Sequence, residues 1–491
     1  QDNSDSGRIM RRLMQTLLMA ATCFTTVLWP VTSSSNPDLP VLNDASSATV
    51  SLDAEYRLGR NWARILRGQA PLHNDYISYQ YLEDLVWRLL PKSQIEDRRI
   101  ELFLLNNPTF NAFAVPGGVI GVHSGLLLAA ESEAELASVI AHELAHLSQR
   151  HYAQRLEEER RNRPLMLAGL LASILVAAAD TQGGMAVLSS TMGASAQGQL
   201  AFSRRNEQEA DRVGMQTMVE AGIDPLAMPH MFSRLQRNYR FYGQRPPEFL
   251  LTHPVTESRI ADSLNRASQL PAVRSVADNQ DFHLVRARLQ VHHSESPQQA
   301  IATFRAAAER SGQLHDQYGL MLAAAAAADF ALADATWNRL STSDRRHPWL
   351  QLGRAERFLT AGEPTQALEI SRELMALYPD SRPVRTLHAR ALREAGQLAQ
   401  AVRLYKQLTR DYPTDSLYWY ELAEAEGLAG NILAVHEARV EYFLLTAQFD
   451  LALTQLEYAN REKGLTSSDK LRLEQREQEA KRLRQEMKEQ F

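Results

Sequence analysis

The stretch VIAHELAH, residues 139–146, decides how the N-terminal half of this chain is interpreted. Four residues of an α-helix advance by slightly more than one turn, so on a helix His142 and His146 project from the same face. Two imidazoles in this arrangement can bind one Zn²⁺ ion, and Glu143 beside them can take a proton from water that the metal activates. Because three fixed residues in a short window arise by chance in roughly one or two chains per hundred of this length, the motif needs support elsewhere.

The surrounding sequence predicts the helix that carries this motif. Ser132 and Glu135 have the spacing of a capping box at a helix start. Leu136, Ile140 and Leu144 then follow at helical spacing and predict a buried face. Upstream, Asp75 predicts the cap of another helix. Three runs between these two helices predict short strands: 100–105, 111–115 and 119–122.

A third metal ligand has to come from another part of the chain. The metzincin arrangement is excluded because Gln149 and Tyr152 occupy the positions where it needs a Gly and a His. A Glu on a later helix is the alternative, and the stretch SRRNEQEAD, residues 203–211, supplies Glu207. Asp211 lies one turn further along the same face, where it can accept the free ring N–H of a zinc-bound histidine. Glu209 stays open as a substitute ligand.

Taken together, these motifs resemble the Ste24/HtpX-like gluzincin peptidases of family M48. The resemblance implies a zincin-type α+β metallopeptidase domain that binds one Zn²⁺ per subunit through His142, His146 and Glu207. It implies Glu143 as the catalytic base and Asp211 as the partner of a zinc-bound histidine. The matching pieces follow one another over about 160 residues: 111–118, 142–146, 203–211 and 251–259.

The same resemblance implies roles for an edge segment of the small sheet and for His253. Substrate would pair as an added strand with a segment at the edge of the small sheet. His253 would fill the fourth zinc position at rest, an interpretation that competes with an ordinary loop histidine before Pro254. The residues of the predicted edge segment are Asn111, Ala112, Phe113 and Ala114.

The C-terminal part of the sequence repeats with a regular period. Gly362, Gly396 and Gly430 are equally spaced, and Ala367 and Ala401 are separated by the same interval. Tetratricopeptide repeats, which are helix pairs of about 34 residues, have this period. They stack into an α-solenoid whose concave surface binds polypeptide. Less regular units are predicted at residues 297–347 and 437–463.

The predicted fold class is therefore mainly α with a small β-sheet. An N-terminal metallopeptidase domain of the zincin α+β type is followed by an α-solenoid of tetratricopeptide repeats. The expected divisions are a signal peptide and leader (1–35), the peptidase domain (36–270), the repeat array (271–465) and a charged C-terminal helix (466–491).

The N-terminal sequence has the pattern of an export signal. Arg11 and Arg12 precede an uncharged apolar stretch at 13–31, which a Ser-rich segment follows. An uncleaved membrane anchor is the alternative, because the stretch approaches the length of a bilayer span. Cys23, the only cysteine, lies within it, so the exported chain would contain no thiol. We expect localisation in the bacterial periplasm.

Charge and hydropathy narrow the choice of partners. Acidic residues outnumber basic ones by 58 to 53, and no basic stripe is present, so nucleic acid is excluded as a partner. The apolar run 165–179 would form about 22 Å of helix, which is shorter than the roughly 30 Å bilayer core. It predicts a cover for the active site or peripheral membrane contact, with a membrane-embedded peptidase as the alternative.

The combination of an export signal, the peptidase motifs and the repeat array resembles exported members of this family, and this resemblance implies a biological role. The resemblance implies quality control of outer-membrane proteins, in which misassembled β-barrel proteins are degraded and assembling ones are assisted. The repeat array would contact the β-barrel assembly machinery. A different class of protein stays open: a tetratricopeptide adaptor or chaperone with weak or vestigial protease activity.

Overall fold

The structure is a computed structural model that describes residues 51–152, 204–242, 248–271, 273 and 279–490. The predicted leader with Cys23 and the apolar run 165–179 lie outside these residues. In the part of the chain that is described, no helix is both long enough and apolar enough to cross a membrane.

Two helices precede the sheet. Helix α1 (Leu52–Gln69) begins after Ser51, whose side chain accepts a hydrogen bond from the Ala54 N–H. Helix α2 (Tyr76–Leu89) begins after Asp75, whose carboxylate accepts from the Ser78 N–H, as the sequence predicts. A short 3₁₀ turn, Leu90–Lys92, follows α2.

The described residues contain one three-stranded sheet with the order β1-β3-β2. Strands β1 and β3 are parallel, whereas β2 and β3 are antiparallel. Gly117 and Gly118 form the tight connection between β2 and β3 with φ angles of 84° and 74°, which only glycine adopts readily. All three strands lie within one residue of their predicted positions, and β2 is an edge strand as expected: β1 (Glu101–Leu105), β2 (Ala112–Val115) and β3 (Val119–His123).

The motif helix follows the sheet. After α3 (Ser124–Ala129), α4 (Glu133–Ser148) begins at Ser132, which accepts from the Glu135 N–H at 3.3 Å. The capping box is one-sided, because the Glu135 carboxylate accepts from the Glu131 N–H instead of the Ser132 N–H. The apolar face of α4 is buried against β2 and two later helices, α5 (Arg204–Glu220) and α6 (Ala227–Tyr242).

Helix α5 carries the second motif and ends where the sequence predicts. The Ile223 N–H donates to the Met218 carbonyl at 2.8 Å around Gly222, whose φ is 73°. This closure satisfies carbonyl groups at the helix end. The helices of this part are α5 (Arg204–Glu220), α6 (Ala227–Tyr242), α7 (Glu248–Thr252) and α8 (Glu257–Gln269).

Residues 279–490 form a succession of antiparallel helix pairs, which confirms the predicted solenoid. The first helices of five successive pairs begin at equal intervals, at positions 280, 314, 348, 382 and 416, and this interval equals the spacing of the glycines. The helices are α9 (Gln280–His293), α10 (Pro297–Ser311), α11 (Leu314–Ala326), α12 (Phe330–Arg339), α13 (Pro348–Thr360), α14 (Pro364–Leu377), α15 (Arg382–Glu394), α16 (Leu398–Asp411), α17 (Ser416–Leu428), α18 (Ile432–Leu445), α19 (Phe449–Arg461) and α20 (Ser467–Gln490).

The periodic glycines lie at the turn inside each pair. Gly362, Gly396 and Gly430 have φ angles of 72°, 74° and 80°. The period extends further than the glycine spacing alone predicts. Gly464 continues it with a φ of 82°, and Ala328 takes the same backbone conformation, with a φ of 58°, one period before Gly362.

The array packs directly against the peptidase part. One buried apolar cluster extends from α2 and α4 into α16 and α18, so the core does not divide at the boundary predicted near residue 270. Arg288 of α9 binds Asp75 before α2 and Glu356 of α13. At the far end of the chain, the Asn61 side chain of α1 donates to Gln490 of α20 at 2.6 Å. The predicted charged C-terminal helix is present and touches α1.

Candidate active site

Four buried side chains converge on one point between α4, α5 and the segment after α7. His142 and His146 come from α4, Glu207 from α5, and His253 from the segment between α7 and α8. Their potential ligand atoms all lie within 4.8 Å of one another, and each side chain is at most 1% exposed. The predicted third and fourth ligands therefore meet the two histidines of the motif.

The spacing of these atoms can be compared with that of a metal site. His142 Nε2 lies 3.1 Å from His146 Nε2, 3.4 Å from Glu207 Oε2 and 3.3 Å from His253 Nδ1. Glu207 Oε1 lies 3.3 Å from His146 Nε2 and 3.0 Å from His253 Nδ1. Zinc–nitrogen bonds of about 2.0–2.1 Å in a tetrahedron place the ligand atoms roughly 3.3–3.4 Å apart. These separations, 3.0–3.4 Å, are close to that value, with His142 beside one oxygen of Glu207 and His146 and His253 beside the other.

The charges of the site also favour a divalent cation. Among the described residues, Glu143, Glu207 and Asp211 are buried together with one buried guanidinium, that of Arg259. With neutral histidines and ionised carboxylates, two negative charges remain uncompensated in a region of low dielectric. One Zn²⁺ ion would balance them, so the residues present fit the metal that the motif predicts.

The proton affinities of the site residues are shifted in different directions: burial lowers the pKa of His146 well below its usual value, whereas the carboxylates outweigh burial at His142. Burial alone would lower the pKa of His142, but its hydrogen bonds to Asp211 and Glu207 raise it to about 9. Burial would raise the pKa of Glu207, but His253, Arg259 and the hydrogen bonds from both motif histidines hold it well below its usual value.

The two ligand helices approach each other closely at Gly214. A Cβ atom at this position would lie 3.2 Å from the backbone carbonyl of Ala141 and from the His142 nitrogen. A glycine on α5 therefore lets its backbone reach the turn of α4 that carries the first ligand, and Glu207 and Asp211 lie within the two preceding turns. The sequence alone does not reveal this role of Gly214, because a glycine inside a helix indicates nothing of the helix that it faces.

Each motif histidine has a partner on the ring nitrogen that faces away from the cluster. Asp211 Oδ1 lies 2.9 Å from His142 Nδ1, which is the contact that the sequence predicts. His151 Nδ1 lies 3.1 Å from His146 Nδ1, and His151 Nε2 lies 3.5 Å from Glu209. Such partners orient a ligand ring and select its tautomer. His151 was not predicted to belong to the site, and Glu209, the substitute ligand, contacts His151 instead of the ligand cluster.

Glu143 lies beside the cluster as a general base would. Its carboxylate is buried, and within the described part of the chain neither oxygen accepts a hydrogen bond of normal geometry. His253 Nε2 is 3.4 Å from Glu143 Oε1. Burial raises the pKa of Glu143, against opposing effects of His253, His142 and the Ala114 backbone N–H. A carboxyl with a raised pKa is suited to accept and return a proton near neutral pH.

The edge strand β2 borders the same region. The His123 N–H of β3 donates to the Asn111 carbonyl, so the alternation of an antiparallel pair directs the backbone groups of Ala112 and Ala114 away from β3. This agrees with the effect of the Ala114 N–H on Glu143. The predicted substrate segment therefore lies next to the predicted base, and its binding of substrate stays a prediction.

Comparison with known proteins bears on the identity of this centre. The Peptidase family M48 model matches residues 77–267, and a Tetratricopeptide repeat model matches residues 358–425. The β-barrel assembly-enhancing protease of Escherichia coli strain K12 is 34% identical over 98% of both chains. The chain belongs to peptidase family M48.

Other M48 relatives match over different lengths. The putative β-barrel assembly-enhancing protease of Vibrio cholerae is 33% identical over 90% of this chain and 91% of its own. The mitochondrial metalloendopeptidase OMA1 of Schizosaccharomyces pombe is 29% identical over 45% of this chain and 64% of its own. The family resemblance drawn from the motifs is confirmed, and this M48 chain is a metallopeptidase followed by tetratricopeptide repeats.

Proposed function

We propose that this chain is a zinc-dependent endopeptidase of the bacterial periplasm that degrades misassembled outer-membrane β-barrel proteins and assists assembling ones. The observation that carries the catalytic part is the convergence of His142, His146 and Glu207 at tetrahedral separations beside Glu143. The client class is supported by relatives named β-barrel assembly-enhancing proteases, which align with nearly the whole chain. A vestigial enzyme would be expected to lack part of this donor set.

The proposed roles follow from position. His142, His146 and Glu207 hold zinc, and Asp211 keeps the Nδ1 proton of His142 so that Nε2 faces the metal. When bound, zinc supplies the Lewis acidity that activates water and polarises a peptide carbonyl. Glu143 takes the proton from the attacking water and delivers it to the departing amine. The outward backbone groups of Ala112 and Ala114 align an extended substrate strand, which recognises backbone more than side chains.

His253 keeps this centre closed at rest in our proposal. Its Nδ1 faces both His142 and Glu207, and its Nε2 faces Glu143, so one ring contacts the ligands and the base. A zinc ion with four protein ligands is of the structural type and leaves no position for water. We expect His253→Ala to retain zinc through three ligands and to hydrolyse unfolded protein faster than the parent. An unchanged or lower rate would contradict the closed state.

The repeat array would bring clients and the β-barrel assembly machinery to the peptidase. It is helical throughout residues 279–490 apart from short turns, and its core is continuous with that of the peptidase part. Stacked helix pairs offer an extended concave surface for polypeptide. Peripheral membrane contact through the run 165–179 stays a prediction.

The decisive experiment is Glu143→Gln in the full chain. The variant should fold and bind zinc as the parent does, because Glu143 is not a ligand. Hydrolysis of an unfolded β-barrel protein should fall by at least about 10²–10⁴-fold, and the uncleaved protein should co-purify with the variant. Glu220→Gln, on the exposed end of α5, is the control and should cleave normally. Cleavage by Glu143→Gln at the parental rate would overturn the mechanism.

A further inference from the structure

Arg259 contacts both carboxylates on α5, although it is no ligand. It lies on the first turn of α8 and is 3% exposed. Its Nε and Nη2 donate to the two oxygens of Asp211 at 2.6 and 2.8 Å. Its Nη1 lies 2.7 Å from Glu207 Oε2. One planar guanidinium therefore holds the proposed metal ligand and the partner of His142 in a single arrangement.

This arrangement makes the two oxygens of Glu207 unequal. Oε2 lies 2.7 Å from Arg259 Nη1 and 3.4 Å from His142 Nε2, whereas Oε1 faces His146 and His253. Since Arg259 also binds Asp211 Oδ1, the oxygen next to His142 Nδ1, it acts on the orientation of two of the three proposed ligands. A lysine could not reproduce these contacts, because an ammonium group lacks the rigid fork of a guanidinium.

The Arg259 side chain also contacts the segment that carries His253. Arg259 Nη1 donates to the carbonyl of Pro254 at 3.0 Å, directly after His253. The Arg259 N–H donates to the side chain of Thr256, which caps α8. The guanidinium also lies over the ring of Phe232, 4.7 Å from its centroid. Movement of the His253 segment away from the site would therefore disturb the contacts of Arg259.

We propose that Arg259 is a positioning residue that couples the orientation of Glu207 to the closed position of the His253 segment. This inference rests on the proposed zinc site and extends it to regulation. When the segment is closed, the Pro254 carbonyl and the two carboxylates share the guanidinium, and Glu207 presents Oε1 to His146 and His253. When the segment opens, the guanidinium loses one acceptor and the orientation of Glu207 relaxes.

The first test is zinc affinity, measured by competition with a chelator on the full chain. Arg259→Lys keeps the charge and loses the fork, and its affinity should fall about 10–100-fold, as is typical for partners of metal ligands. Arg357→Lys is the matched control, because Arg357 also bridges two carboxylates beside an aromatic ring, but in the array. Parental affinity in Arg259→Lys, or an equal loss in Arg357→Lys, would overturn the proposal.

The coupling is tested by a double-mutant cycle with His253→Ala. If Arg259 and the segment act as one unit, His253→Ala should weaken zinc binding less in the Arg259→Lys background than in the parent. Independent effects that multiply would rule out the coupling. If Arg259→Lys does not give the parental circular dichroism spectrum, Arg259→Gln is compared with Arg357→Gln instead. Zinc affinity is measured without any proteolysis. A failure of this coupling can therefore be distinguished from a failure of the proposed peptidase function, which the Glu143→Gln experiment tests separately.

Discussion

The active site and the repeat array are stabilised by opposite kinds of contact. The site joins polar side chains that are far apart in the sequence, such as His142, Glu207 and His253, and it buries them completely. The array joins apolar faces of helices that follow one another directly. Its unit recurs at a constant interval, whereas each contact of the site occurs once.

This difference predicts where substitutions act. In the site, a changed side chain should alter metal binding or hydrolysis more than folding, because the surrounding apolar core of α4, α5 and α6 stays intact. In the array, a changed side chain should alter stability and leave the metal centre unaffected. Arg288 tests this separation most directly, since it is a charged side chain on the array side that is only 11% exposed.

The largest expected effect concerns the third ligand. Glu207→Ala removes a proposed ligand, so the variant should lose zinc far more severely than Asp211→Ala, for which an orienting role predicts a loss of about 10–100-fold in affinity. Zinc content after dialysis and affinity by chelator competition measure the difference. Equal zinc binding by the two variants would mean that α5 does not supply the ligand as proposed.

On the array side, Arg288→Ala should cost the most stability. Arg288 donates to both oxygens of Asp75 at 2.7 and 2.9 Å and to Glu356 at 2.9 and 3.0 Å. Removal of one member of a buried charge group typically costs about 3–5 kcal/mol, because the other charges remain without compensation. Arg476→Ala, which removes the ion pair between the half-exposed Arg476 of α20 and Glu441 of α18, should cost at most about 1 kcal/mol. Zinc affinity should be unchanged in both, and a loss in Arg288→Ala would contradict the separation.

The array could be predicted from the sequence because its determinants are local. Gly362, Gly396 and Gly430 alone give the period, and the helices follow from it. The sequence does not show that Ala328 occupies the position equivalent to these glycines, because alanine rarely adopts the left-handed conformation that this position requires. The boundary near residue 270 describes the change of sequence pattern, but no pattern shows that α9 packs on α2 and α3.

The site could be predicted in part. The motif on α4 supplies His142, Glu143 and His146, and helical spacing supplies Glu207 and Asp211. The contributions of His151, Gly214 and Arg259 could not be derived, because they depend on how α4, α5 and α8 approach one another. Arg259 carried one signal, since it lies in the stretch 251–259 that resembles family M48, but the resemblance indicated no role for it.

A pH prediction concerns the interface between the two regions. His73 lies between α1 and α2, beside His292 of α9, and burial lowers its pKa to about 4. The unfolded chain binds this proton at about pH 6.5, so His73 stabilises the fold fully above that pH and progressively less as the pH falls towards 4. The loss between pH 7.5 and 5 should reach about 2 kcal/mol. In the presence of a chelator, His73→Gln should show a flatter decline of thermal stability than the parent, and parallel profiles would contradict this prediction.

The smallest expected effect tests the periodic turn of the array. At Gly362 a Cβ atom would meet no neighbour within 4 Å, so Gly362→Ala introduces only the backbone cost of a positive φ, about 1 kcal/mol. Ala328 already bears this cost at a φ of 58°, so Ala328→Gly should stabilise the array by up to about 1 kcal/mol, reduced by the greater freedom of glycine in the unfolded chain. The thermal midpoints of the two variants should therefore move in opposite directions with zinc affinity unchanged. A shift in the same direction would show that the backbone strain of the turn at 328 is not equivalent to that of the turn at 362.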